Sequence, residues 1–480
     1  MLPELKPQTR NKMMHDTLIL CCHEGVKDTK QAFGNLFSQV DYLCKARGIK
    51  VADKIAIQTM RRHSNSQEPL SGEDLKYDAR ALALFISAVF GVDVPHELNV
   101  LIPHTPRPYQ KGLEINNRRI RCIVKNWDGD FIRVDIDQDA DEEEYLVQLK
   151  DEENHIDHTY LWDILKEGMQ LNLLDCQVKQ PIITPRLIVV EPDYLVDISS
   201  IATCFTAFGH HPLLYLLNLM KPRANTQATL LGNFAGAALD DIINSHGKYQ
   251  MNETVKSNFR EKALEFCTCP WFDPKKFYTD ASLQAFNLQQ VVDILFPRTA
   301  SQAQMSAFRG ESLYDRKKAI LEPSFVCEAL GIQGRVDLMT TDCKLLVEQK
   351  SGRNMNIETH QVDPGYHSYQ LEPHYVQLLL YYGVLQHNFK LSNDRVNIRL
   401  LYSKYRPQDG LMVVAYYQKL FKEAIQYRNQ LVAASFEIAK EGFEHALNEF
   451  TPEVLNVAGT QDFFYNKYLK PQIEAITKPL

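Results

Sequence analysis

Asp337, Glu348 and Lys350 stand close together in "GIQGRVDLMTTDCKLLVEQKSG", residues 331–352, a run that otherwise reads as two apolar strands. Charges at strand ends ordinarily face water, but the alternation here argues for something else. With a strand period of two, "CKLLVEQK" places Leu346, Glu348 and Lys350 on one face and Leu345, Val347 and Gln349 on the other. Asp337 ends "IQGRVD", and the polar "TTDC" that follows suits a hairpin turn, so pairing around it brings Asp337 beside Glu348. Two converging carboxylates repel unless a cation lies between them, and oxygen ligands of this kind suit Mg²⁺ or Mn²⁺. An ammonium one strand step away can orient a water or stabilise a charged transition state.

A second group of candidates lies in "HYVQLLLYYGVLQHN", which has the length and apolar content of a helix. Gln377 and Tyr381 are four residues apart and share a face, with His374 one turn earlier. Packing alone can account for such residues on an apolar helix. Placed just after "EQKSG", the stripe is expected to face the carboxylate site.

The elements that must position these residues follow from the rest of the chain. Its 480 residues, 45% apolar and 24% charged, describe a soluble multidomain α/β (α+β) protein. No long uncharged apolar run and no apolar signal core occur, which points to a cytoplasmic protein without a membrane partner. The ten scattered cysteines read as reduced thiols. A net charge of −7 does not advertise nucleic-acid binding, and the basic clusters "NNRRIRCIVK", "MKPR" and "YDRKK" each read first as solvated faces.

Four regions are expected. Residues 1–115 are a helical N-terminal region to which no chemistry is assigned, ending in the Pro-rich "PHTPRPYQKG". Residues 116–195 carry short strands around an "NWDGD" hairpin turn and one short helix, "HTYLWDILKEGM", the pattern of a small OB-like β-barrel; the acidic "DQDADEEE" reads as a solvated loop. Residues 196–440 run from helices into a central mixed sheet flanked by helices, with strands at about 322–328, 331–340 and 344–350 and a long final helix from "MVVAYY" onward. Residues 441–480 are expected to be a helical tail.

In their order along the chain, "GRVD", "EQK" with "SG" after it, and Q-x-x-x-Y in the next helix resemble the RecB-like branch of the PD-(D/E)XK nuclease superfamily. "LIVVEPDYLVDISSIATCF" leading into "ATLLGNFAGAALDDII", and "RLLYSKY" followed by "EAIQYRNQLVAA", narrow this further. They look like the nuclease part of the DNA-replication nuclease-helicase family that processes Okazaki flaps. The resemblance covers about residues 117–435. It implies that Asp337, Glu348 and the Gln349 carbonyl are metal ligands, that Lys350 is the catalytic lysine, and that Gln377 and Tyr381, with His374 on the same stripe, contact DNA. It further implies a Mg²⁺- or Mn²⁺-dependent, nucleoid-associated deoxyribonuclease acting on single-stranded or flap DNA in replication and repair.

Three departures qualify that expectation. The family's histidine ligand stands four residues after a helix glycine; here that glycine looks like Gly232 and the position is Gly236, leaving Asp240 or Asp241 as substitutes. Many members hold an iron–sulfur cluster, but apart from Cys204 the cysteines are misplaced and none follows Cys343, so no cluster is expected. No G-x-x-x-x-G-K-[ST] occurs, so the helicase is expected either further along the same polypeptide or as a separate protein. The alternative is a catalytically weak single-strand-binding or docking module of a helicase complex.

Overall fold

A computed structural model describes residues 6–29, 33, 36–64, 70–107, 118–136, 144–152, 155–206, 209–220, 225–362, 369–391 and 396–442. These fall into two compact units: one holds the residues up to Tyr194 and those from Val432 onward, the other runs from Leu195 to Leu431. Most of the acidic run 137–144, nearly all of "MKPR" and nearly all of the expected tail 441–480 lie outside the described residues. Among the described residues no helix is long and apolar enough to cross a membrane.

The first unit begins with helices Pro7–Val26, Leu36–Ala46, Val51–His63 and Gly72–Phe90. The last starts sharply because Ser71 and Asp74 form a reciprocal cap, each side chain accepting the other's backbone N–H. It stops at Gly91, whose φ of 66° is a left-handed conformation that glycine adopts without strain. Leu18, Val40, Leu43, Ile57 and Phe85 form the core between these helices.

Next comes a seven-stranded sheet. Its strands in spatial order are Gln177–Lys179, Ile182–Thr184, Tyr145–Gln148, Phe131–Ile136, Arg119–Asp128, Gln170–Leu174 and Leu187–Val190. The "NWDGD" turn closes the hairpin between Asp128 and Phe131, with Gly129 at φ 47°. Two expectations need correction. Among the described residues no ladder joins the first and last strands, so the sheet is open and the OB-like barrel is not closed; short alternating strands look alike in both arrangements. The helix expected in "HTYLWDILKEGM" is only a 3₁₀ turn at Thr159–Asp163. Beyond it the Gly168 N–H donates to Val124 O and the Val124 N–H to Met169 O, which draws the chain into the sheet.

The second unit is built on a five-stranded mixed sheet in the order Ala319–Leu321, Leu338–Thr340, Leu345–Lys350, Asn397–Tyr402, Leu411–Val413. All neighbours are antiparallel except Leu345–Lys350 and Asn397–Tyr402. That parallel pair is joined through helix Glu372–Phe389, as a parallel connection requires. Helices Gln227–Asn244 and Pro274–Leu295 cover the face that carries Leu345 and Val347, packing Phe234, Ala238, Leu288 and Val292 against them. The long final helix starts later than expected, at Gln418, because Leu411 and Met412 pair with Leu401 and Leu400 as an edge strand.

Candidate active site

Strand Leu345–Lys350 is bonded on both sides and buried along nearly its whole length. The expected alternation holds. Leu345 and Val347 enter the helical core, whereas Glu348 and Lys350 face helix Glu372–Phe389.

Residues 331–340 are not one strand, as the sequence led us to expect. Ile332–Arg335 belongs to a separate three-stranded sheet with Val196–Asp197 and Ser324–Cys327, whereas Leu338–Thr340 belongs to the five-stranded sheet. Asp337 therefore sits where the chain changes sheets. Its neighbour changes sheets at the same level, between Leu321 and Ser324, and places Glu322 there with a left-handed φ of 46° and its N–H donating to Asp337 O at 3.0 Å. Glu322 was missed in the sequence because only this long-range pairing makes it a neighbour of Asp337.

At this corner the Asp337 Oδ2 accepts the Gln349 N–H at 2.5 Å, a bond that turns the Asp337 carboxylate toward the end of the Glu348 strand. Lys350 Nζ donates to Glu348 Oε1 and to Gln377 Oε1, each at 2.8 Å. The other oxygen, Glu348 Oε2, is buried and has no hydrogen-bond partner. Burial, and then the Asp337 charge, pushes the Glu348 carboxyl up to about 8 against the opposing pull of Lys350. Asp337 is also raised, mainly by burial. Both shifts follow first from the burial of two neighbouring carboxylates.

The three helix residues converge here in different ways. Gln377 holds Lys350. Tyr381 is buried and donates its hydroxyl to Arg335 O at 2.6 Å, close against Gly334, so it braces the strand leading to Asp337. His374 lies 3.0 Å from the Tyr402 hydroxyl, and burial, then Lys350, lowers it to about 3, leaving a neutral imidazole. The start of this helix is anchored by His210, which lies 2.7 Å from both Glu372 and Glu423. Burial pulls its imidazole down, but the two carboxylates outweigh that and raise it to about 9.

Helix Gln227–Asn244 completes the surroundings. Gly232 faces Ser351, whose Oγ lies 3.2 Å from where a Cβ would stand. Two turns further on, burial and the charges of Glu322 and Asp337 push Asp240 up to about 7, which places it at the acidic corner. Asp241 instead accepts a hydrogen bond from Thr254 at 2.5 Å. Between these turns Gly236 looks into open space, with nothing within 4 Å of a Cβ added there. Asp240 is thus the better placed of the two expected substitutes.

Gly236→His should therefore fold with an unchanged or slightly higher melting temperature, since glycine in a helix interior is unfavourable by about 0.8–1 kcal/mol relative to alanine. It should also tighten Mn²⁺ binding about tenfold, because imidazole suits a transition metal. Calorimetric titration measures this, and equal affinity in parent and variant would show that position 236 does not reach the cation.

Behind the strand, on the opposite face, lies a polar network the sequence did not reveal. Gln349 Nε2 donates to Ser403 Oγ at 2.7 Å, Ser403 Oγ to Gln284 Oε1 at 2.6 Å, and Gln284 Nε2 to Ser351 O at 3.0 Å. Gln349 thus has its side chain fixed in the core while its backbone lies beside Asp337.

Among the described residues of the basic clusters, several charges are paired within the fold. Arg121 pairs with Asp193, Lys125 with Asp135 and Lys318 with Asp342, while Arg316 donates to the carbonyls of Ile242 and Ile243 at a helix end. Cys204 is fully buried, and the cysteines are free thiols, most of them buried.

The residues fit a divalent cation by their chemistry: an orphaned carboxylate oxygen, a second carboxylate alongside, and both held above their ordinary range by burial. Among the described residues, no three His, Cys, Asp or Glu side chains are already gathered around one point. Two carboxylates, a backbone carbonyl and water are a shell that Mg²⁺ accepts. Compared with known proteins, the chain matches no protein-family model and no curated protein.

Proposed function

We propose that this protein is a metal-dependent deoxyribonuclease with a PD-(D/E)XK-type core that cleaves single-stranded or flap DNA. The observation that carries the reading is the buried, unpartnered Glu348 Oε2 beside Asp337, with the Lys350 ammonium 2.8 Å from the other Glu348 oxygen. The order of elements supports it: a helix, an antiparallel strand pair bearing Asp337 and Glu348, then a crossover helix to a parallel strand.

Asp337, Glu348 and the Gln349 carbonyl would hold Mg²⁺ or Mn²⁺, which supplies a water of lowered pKa and charge neutralisation at the leaving oxygen. Lys350 is kept by Gln377 at the edge of the carboxylate pair, where its ammonium can meet a phosphate oxygen without a large rearrangement. Tyr381 and the Gln349–Ser403–Gln284 chain fix the two backbones that carry the carboxylates. A helicase, in the same polypeptide or separate, would deliver the single strand.

One observation favours a second reading, a weakly catalytic single-strand-binding module: Gly236 supplies no ligand where the resembling family has histidine. Incubating end-labelled single-stranded DNA with Mg²⁺ or Mn²⁺, and with EDTA as the control, separates the two. The nuclease reading expects products only with the cation. Binding without products in either metal supports the module.

A further inference from the structure

We infer that Trp271 is a stacking platform for a base of single-stranded DNA, an assignment that rests on the reading of this unit as a DNA-cleaving one. Trp271 in "PWFDPKK" is 98% exposed, although its immediate surroundings are well anchored. Cys269 is buried in the helical core and Phe272 packs against it. Asp273 caps helix Pro274–Leu295 by accepting the Lys276 N–H at 3.0 Å, and its own N–H donates to Gln227 Oε1 at 2.9 Å. The indole is thus held out into solvent by a turn fixed on both sides, with Trp271 itself in the left-handed region at φ 58°. A tryptophan placed in this way loses the burial that normally accompanies its large apolar surface, and a non-glycine residue at positive φ adds strain.

The neighbouring charges identify the ligand. Lys275 and Lys276 stand four and five residues further on, in the first turn of the helix that Asp273 caps, both exposed and without an ion pair among the described residues. An exposed aromatic ring with two ammoniums a few residues along the chain suits unpaired nucleotides: the ring stacks on a base and the ammoniums meet phosphates. A protein partner gains little from a lone ring followed by two exposed lysines, since charged residues are depleted from the core of protein interfaces.

The helix that starts beside the platform also runs to the strand that carries the carboxylates, against its opposite face. Ten residues along the helix that begins at Pro274, Gln284 donates to the carbonyl of Ser351, the residue after Lys350. At about 1.5 Å per residue that is roughly 15 Å along the helix axis.

The test uses the full chain in EDTA, so that it is independent of cleavage. Trp127→Phe combined with Trp162→Phe leaves Trp271 as the sole tryptophan. Titration with oligo(dT) should then quench its fluorescence, and in the parent background Trp271→Ala should weaken binding of labelled oligo(dT) by about 5- to 100-fold. The melting temperature should stay the same, because the side chain is exposed. An unquenched indole, undiminished affinity in Trp271→Ala, or no oligo(dT) binding by the parent would overturn the assignment. Cleavage in Mn²⁺ is scored separately, so an inert Trp271 in an active nuclease, or stacking in a protein that does not cut, tells the two readings apart.

Discussion

Glu348→Ala and Asp337→Ala are each expected to lower cleavage of labelled single-stranded DNA by about a thousandfold, the scale on which a preorganised charge in a water-poor site contributes. The two carboxylates reach the corner by independent routes: Glu348 from an interior strand, Asp337 from the point where its chain changes sheets. Neither can substitute for the other, because Glu348 is fixed by the strand ladder on both sides and the Asp337 carboxylate by the Gln349 N–H. Binding of the same oligonucleotide in EDTA should change by less than about threefold, since on the nuclease reading the phosphate contacts that supply affinity would lie elsewhere. Retained cleavage in either variant would remove that residue from the site. A parallel loss of cleavage and of EDTA-phase binding would instead mean that the substitution had disturbed the fold, which the melting temperature would report.

Local periodicity made much of this site legible in the sequence. The period of two separated Glu348 and Lys350 from Leu345 and Val347, and the helical period put Gly232, Gly236 and Asp240 on one side of a helix. Both patterns depend only on residues a few positions apart. What stayed hidden depends on pairing over long distances. Glu322 precedes a proline with no motif around it, and it meets Asp337 only because two neighbouring strands leave one sheet for another at the same level. His210 meets Glu372 and Glu423 across more than 150 residues of sequence. Strand Gln170–Leu174 escaped because both of its faces are buried, which removes the alternation that marks a strand. Gln377 and Tyr381 lie on the expected helix, where they hold Lys350 and Arg335.

Glu348→Gln should raise the thermal stability of the metal-free protein while removing its activity. Folding lifts the Glu348 carboxyl from an ordinary value of 4.5 to about 8. Between those limits the folded state keeps a proton that the unfolded state has released, so this group's contribution to stability falls as pH rises from about 4.5 to about 8. The loss is complete only above the folded value. Glutamine has the same shape and no charge to desolvate, so in EDTA at pH 8 the variant should be more stable by about 2–4 kcal/mol, well within the 1.36 kcal/mol per unit that such a shift allows. For a unit of this size that is roughly 5–15 °C in melting temperature. At pH 5 the difference should shrink to below about 1 kcal/mol, because Glu348 is then protonated in the folded protein and the pH lies only about half a unit above its ordinary 4.5. Adding Mn²⁺ should reverse the comparison, since a ligand stabilises only the state that binds it: the parent should gain and the variant should not. Equal melting of parent and variant in EDTA at pH 8 would mean that Glu348 is not a strained, desolvated charge. Equal stabilisation of both by Mn²⁺ would place the cation elsewhere. A stability gained by deleting the charge and forfeited only when metal is present is expected of a residue retained for binding a cation rather than for folding.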